Sequence, residues 1–251
     1  MIYPPGQGPS GPHLMQLWRD YLEQFADRDG DVAGQTVVAA YSTVEILTCL
    51  ARALDKKARY KGLIDERLAL FREGSRQAES FSDCMINAAF SVYNCLNTIS
   101  HQITDGNREA AALVKQVDEQ VHRSAGAGDP VARSAAALRA GFPLLGLATI
   151  ALDPGRKLLP AIRQVEQRFA AGVKAASSDW DHLVHALYRI VEMMQVFALL
   201  TDPDLKDSIN QIAARFQEED QAKGLNLKLR NGFCRFFELG HLLAIQADDL
   251  R

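Results

Sequence analysis

Between Ala135 and Leu152 the chain reads AAALRAGFPLLGLATIAL, and Arg139 is its one charge. Pro130 precedes this stretch, Pro143 lies inside it, and Asp153-Pro154-Gly155 follows. No other segment limits the possible folds so strongly. A helix without a polar face must be surrounded, so its neighbours have to supply apolar faces. Amphipathic helical patterns lie on both sides of it. Three readings stay open. The stretch is a central buried helix, with Pro143 near a kink or a helix start. Or it is a conditionally exposed tip, Gly141 to Leu152, too short for a standard membrane span of about 20 residues. Or it is a hydrophobic interface for another subunit or a partner helix. Phe142, Pro143, Leu144, Leu145, Leu147 and Ile150 would carry the second or third reading. We favour the first.

Composition narrows the class. Hydrophobic residues make up 47% and charged residues 24%, which excludes global disorder. The 9 prolines and 17 glycines cluster in part within the first dozen residues, so the remainder is short of helix breakers. Mean hydropathy of −0.12 fits a soluble resting state. A net charge of −3 argues against a nucleic-acid partner, whose phosphates favour a basic domain. The one basic cluster, Lys56-Lys57-Ala58-Arg59-Tyr60-Lys61, reads as a solvated helix face or end. The alternative is a small patch for phosphate or an anionic lipid surface.

Cys49, Cys84, Cys95 and Cys234 form no CxxC pair and no zinc spacing. Each lies in an apolar segment, so we read them as reduced core residues of a cytoplasmic protein. The N-terminal MIYPPGQGPSGPHL lacks a basic region followed by an apolar one, which argues against a secretory signal.

Taken in order, the chain is a series of amphipathic helices. Residues 1–11 form a Pro/Gly-rich arm, mobile or extended alone, or a docking arm for a partner. A helix begins near Pro12, with Leu14, Leu17, Tyr21 and Phe25 at helical spacing. A second runs from about Val32 to Tyr60. A shorter piece carries Leu63, Ile64, Leu68 and Phe71. A strong stripe follows through Phe81, Met85, Ala88, Val92, Cys95 and Ile99. The next helix presents Val114, Val117 and Val121. It ends in the best linker candidate, residues 124–130, which divides possible sub-blocks 12–124 and 130–251 of one helical domain. Beyond the apolar stretch come helices on Ile162, Val165 and Phe169, on Val184, Leu187 and Val191, and on Ile209, Ile212 and Phe216. Residues 225–237 fit either a small β-hairpin around Asn231-Gly232 or one helical face. Helix is favoured, because a lone two-stranded ribbon is marginal. No period of 20 to 50 residues is visible by eye, which argues against a solenoid. The expected fold is all-α, a multi-helix antiparallel bundle.

Two constellations could carry chemistry. Glu45, Glu119, His122, Glu192, Glu238 and His241 supply the Glu and Glu-x-x-His set of a carboxylate-bridged di-metal bundle. Helical geometry sets against it. With Val114, Val117 and Val121 facing inward, Glu119 points outward at about 100° per residue. By the same construction Glu238 points away from the face of Phe233, Phe236 and Leu243. The expectation is chance matches on solvated faces. Asp181, His185, Tyr188 and Glu192 lie along one line of a helix, where a carboxylate beside His can tune acid–base or pH-switch behaviour. The plainer reading is a polar helix boundary with i,i+4 pairing. These four are the first choice for a ligand pocket.

No phosphate loop, nucleophile elbow or HExxH motif occurs. No cofactor is expected, and an enzymatic role is left open with the balance against it. The expected function is a non-enzymatic subunit, adaptor or scaffold that binds a protein partner or forms a homo-oligomer. Its alternatives are a membrane-active protein inserting residues 140–152 and a metal- or ligand-binding helical bundle.

Overall fold

The computed structural model describes residues 8–124, 129–219 and 223–249. These form α1 (Gly11–Ala26), α2 (Val32–Leu54), α3 (Lys61–Gln77), α4 (Phe81–Thr104) and α5 (Arg108–Ser124). After them come α6 (Pro130–Leu152), α7 (Leu159–Ala175), α8 (Asp179–Thr201), a 3-10 turn at Pro203–Leu205, α9 (Lys206–Glu219) and α10 (Leu225–Asp249). Residues 1–7 of the expected arm and 125–128 of the expected linker lie outside the described residues. Among the described residues there is no strand.

The even-numbered helices are long and apolar, and they close on one another. α2 packs on α4, α4 on α6, α6 on α8, α8 on α10, and α10 on α2, the most extensive contact of all. Cross-helix contacts fix their direction. Thr36 and Thr43 donate to the carbonyls of Asn226 and Phe233, the same offset along both chains, so α2 and α10 run parallel. Ser100 donates to Leu144 O while Leu96 sits against Gly141, which sets α4 parallel to α6. The odd-numbered helices lie outside and run the other way. Asn87 of α4 reaches Phe71 O, and Arg67 of α3 reaches Asn97. Arg215 meets Glu238 while Glu219 meets Arg235. The expected antiparallel bundle therefore needs correcting. Consecutive helices are antiparallel, but the five core helices are parallel, inside an outer layer of five.

This arrangement repeats. The inner helices begin at residues 32, 81, 130, 179 and 225, three steps of 49 residues and one of 46. The residues before the first four, Asp31, Ser80, Asp129 and Ser178, each cap their helix by accepting a backbone N–H. Such a cap is worth about 1 kcal/mol. The expectation of no internal repeat is thus overturned, although the result is a closed ring and not a solenoid.

The turns from inner to outer helix repeat as well. Asp55 accepts the N–H groups of Arg59 and Tyr60, and Asp153 accepts those of Lys157 and Leu158. Ala58 and Arg156, at the same place in each turn, have φ of 51° and 53°. That left-handed conformation is uncommon for residues with a Cβ. The buried aspartate holds each turn together. At the chain ends the same device works between distant residues: Asp248 accepts the N–H of Ser10, and Asp249 that of Gly8.

Side chains fill the ring. Thr43, Val92, Gly141, Ile190 and Phe236 occupy matching positions on the five inner helices, and all are buried. A Cβ on Gly141 would lie 3.0 Å from Leu96, so glycine here lets the neighbours close in. A small cavity of about 10 Å³ beside Thr48, Arg67 and Cys95 has room for about one water. The apolar stretch is the third inner helix, surrounded by α4, α5 and α8. It starts at Pro130, and the helix runs through Pro143. The hairpin alternative at 225–237 is overturned: α10 is continuous there. Gly232 lets Leu187 pack closely, since a Cβ would sit 2.6 Å from its Cδ2.

Candidate functional site

The outer helices do not cover the inner ring completely, so grooves remain between them. One groove, about 510 Å³, lies over α8. Asp181, His185 and Tyr188 line it together, with Arg189 and Lys228. Three of the four residues expected on one line of a helix therefore share a groove. Glu192 does not. Its carboxylate accepts from Arg189 at 2.6 Å and from Arg168 of α7 at 3.3 Å.

The groove residues are differently engaged. Asp181 accepts the Ser177 hydroxyl at 2.6 Å, and its own N–H is capped by Ser178. Those hydroxyls hold its carboxyl below the usual aspartate range. Asp83 makes a related cap two repeats earlier, accepting there from the N-cap Ser80 itself, so this carboxylate serves the helix end. His185 lies against Gly172, where a Cβ would stand 2.9 Å from Nδ1. Burial, reinforced by the Arg189 charge, lowers its pKa, while Asp181 opposes the shift. The Tyr188 ring packs on Phe216 at 4.7 Å. Lys228 makes no ion pair among the described residues.

The six residues expected for a metal do not converge. Glu45, Glu192 and Glu238 occupy one repeat position on three inner helices, and each turns outward to an arginine of an outer helix: Arg72, Arg168 and Arg215. They are spread around the ring. Glu119 pairs with Lys115 at 3.8 Å on the exposed side of α5, and the side chain of His122 lies outside the described residues. Among the described residues no group of three His, Cys, Asp or Glu could hold a metal ion.

Glu238 and His241 are not on a solvated face, as helical geometry had led us to expect. Glu238 is 8% exposed and His241 1%. α10 packs against α1, α2, α8 and α9, so it has no solvated side over most of its length. Glu238 bridges Arg215 and Arg235 at 2.9 and 2.5 Å, and Arg235 also holds Glu219 through two bonds. His241 donates Nε2–H to Leu14 O at 3.0 Å and lies 4.8 Å from the Trp18 ring. Burial lowers its pKa.

Of the residues considered for a membrane tip or interface, Phe142, Leu144 and Leu145 are buried, Pro143 and Leu147 partly so, and Ile150 is 42% exposed. Phe142 stacks on Phe169 of α7 at 4.1 Å. By length and composition α2, α6 and α8 could each cross a membrane; here all three are inner helices of the ring.

A polar cluster over α4 lies outside the residues expected from the sequence. Arg67 donates to Asn94 O, Thr98 Oγ1 and Asn97 Oδ1, all neutral acceptors. Asn97 and Tyr93 donate to Asp118 of α5, Tyr93 at 2.6 Å. Burial lowers the Arg67 pKa and raises that of Tyr93, where the Asp118 bond adds to it. The signal was present: Asn94, Asn97 and Thr98 interrupt the apolar stripe of α4. No family model, curated protein or solved structure matches this chain.

Proposed function

We propose that the protein is a helical interaction module that binds a helix of another chain, a partner or a second copy, without catalysis. The carrying observation is the groove over α2. α1 and α3 both pack on α2 and leave about 490 Å³ between them. Val37, Val38, Tyr41 and Phe71 form its floor, and Asp20, Arg28, Glu45 and Arg72 its rim. An apolar floor with mixed charge at the edges suits an amphipathic helix. The polar residues that suggested chemistry are spent on structure: Asp181 on a cap, Glu192 and Glu238 on arginines, His241 on a backbone carbonyl. A cytoplasmic location accompanies this reading, supported by four free cysteines.

Light scattering on a sizing column, with a photo-crosslinker placed at residue 38, tests the proposal. A defined complex that Val38→Arg dissolves is the expected result. A chain that stays at 27.7 kDa and captures no protein from residue 38 would overturn it.

A second reading, membrane activity, is favoured by the three apolar helices α2, α6 and α8. It requires the ring to open. Stable uptake into vesicles that Leu145→Asp abolishes would support it, and a chain that never floats with vesicles would remove it.

A further inference from the structure

We propose that the corner between the α6–α7 turn and the end of α8 is a binding site for a small anionic amphiphile, an acyl chain bearing one carboxylate. This stands apart from the helix-docking grooves and does not depend on them.

The groove there measures about 670 Å³, within the ordinary range for small-molecule sites. Leu152, Leu158, Leu199 and Leu200 supply apolar wall, and Lys157 and Lys206 stand at its edge. Neither lysine makes an ion pair among the described residues. Two nearby carboxylates are held by backbone groups: Asp153 by the Lys157 and Leu158 N–H groups, and Asp202 by the Asp204 N–H. Two ammonium groups without an ion pair among the described residues, beside an apolar trough, complement one anionic head and one hydrocarbon tail.

The repeat supplies a bridged counterpart of this opening. The same corner exists two repeats earlier, between the α2–α3 turn and the end of α4. There Arg59, the counterpart of Lys157, bonds Asp105 across the corner at 2.5 Å. Gln102, the counterpart of Leu200, reaches Ala51 O at 2.9 Å. Both bridges are missing in the second corner. Leucine replaces the glutamine, and Lys157 makes no ion pair among the described residues.

The occupant we commit to is a free amphiphile. The apolar residues line a groove of bounded size with two lysines at its edge, which suits a small ligand with one anionic head more than a protein entering a bilayer. Calorimetric titration of the full chain with dodecanoate, below its micelle concentration, tests the site. We expect one dodecanoate per chain. Lys157→Ala/Lys206→Ala should weaken binding by about tenfold per lost charge-assisted bond. Leu200→Gln, which copies the closed corner, should weaken it comparably with little change in melting temperature. Neutral dodecyl maltoside should bind at least about tenfold more weakly. Failure of wild-type protein to bind dodecanoate overturns the proposal. Binding that the lysine variant leaves unchanged does so too. Flotation with phosphatidylglycerol vesicles by a chain that ignores free dodecanoate would assign the corner to a membrane surface and also overturn it. The lysines are exposed, so their variant keeps the test valid if Leu200→Gln folds poorly.

Discussion

Two corners of the ring start from matching residues and end differently. At the α2–α4 corner, Arg59 and Gln102 tie one inner helix end to the next. At the α6–α8 corner, Lys157 and Leu200 leave the ends apart and apolar. The aspartates that build the two turns, Asp55 and Asp153, make the same bonds in both. The difference therefore lies in a few side chains placed on a shared backbone. A repeated fold makes such departures visible, since each unit is a control for the others.

The largest test of that comparison lies beneath the corners. Ile99 and Phe197 hold matching buried positions on α4 and α8. Phe197→Ala should cost about 3–5 kcal/mol and Ile99→Ala about 2–5 kcal/mol, read by chemical denaturation. A cost under about 1 kcal/mol for Phe197→Ala would mean that the second corner is open because its core is loose. Next come the turns. Asp55→Ala and Asp153→Ala each strand two backbone donors and should cost about 1–3 kcal/mol, by similar amounts. A large inequality would break the equivalence of the two turns.

The third test is pH. His101 at the closed corner corresponds to Leu199 at the open one. Burial, with the Arg67 charge, lowers the His101 pKa from 6.5, while Asp118 opposes that. A histidine with a lowered folded pKa takes up fewer protons than the unfolded chain, so its contribution is present above about pH 6.5 and lost as pH falls. His101→Leu should therefore lose less melting temperature than wild type between about pH 7.5 and 5. Equal slopes would show that His101 is not a titrating element of that corner. Smallest is the ion pair itself. Arg59 and Asp105 are half exposed, 54% and 50%, so Arg59→Ala should cost about 0–1 kcal/mol and less at high salt.

Much of the helix content was legible because apolar residues recur at helical spacing and breakers are few. The apolar stretch was legible as a buried element because it has no polar side to expose. α10 was legible as a helix but not in its orientation. Assigning one buried face to Phe233, Phe236 and Leu243 fails for a helix enclosed on nearly all sides, so Glu238 was placed in water when it lies between two arginines. The repeat escaped because neighbouring units share caps and lengths, which are weak signals, more than sequence. Alternate units share more. Phe71, Gly74, Ala78, Ser80 and Asp83 recur in order and spacing as Phe169, Gly172, Ala176, Ser178 and Asp181. A comparison at twice the helix-pair length would have found them. The polar groove over α8 was partly legible, since Asp181, His185 and Tyr188 share a helix line. Lys228 was not, because it comes from another helix.

The tie between Asp248, Asp249 and the residues before α1 has a further consequence. A linear array of helix pairs has two terminal units, each lacking a neighbour, and melts from those ends. Here the last inner helix lies against the first, and the final aspartates grip the start of the first outer helix. Among the described residues each inner helix has an inner neighbour on both flanks, so none can peel away without breaking contacts on both sides. Unfolding should be all-or-none despite the modular build. A chain opened at Gly106, with residues 8 and 249 joined through a short linker, should therefore form the same ring.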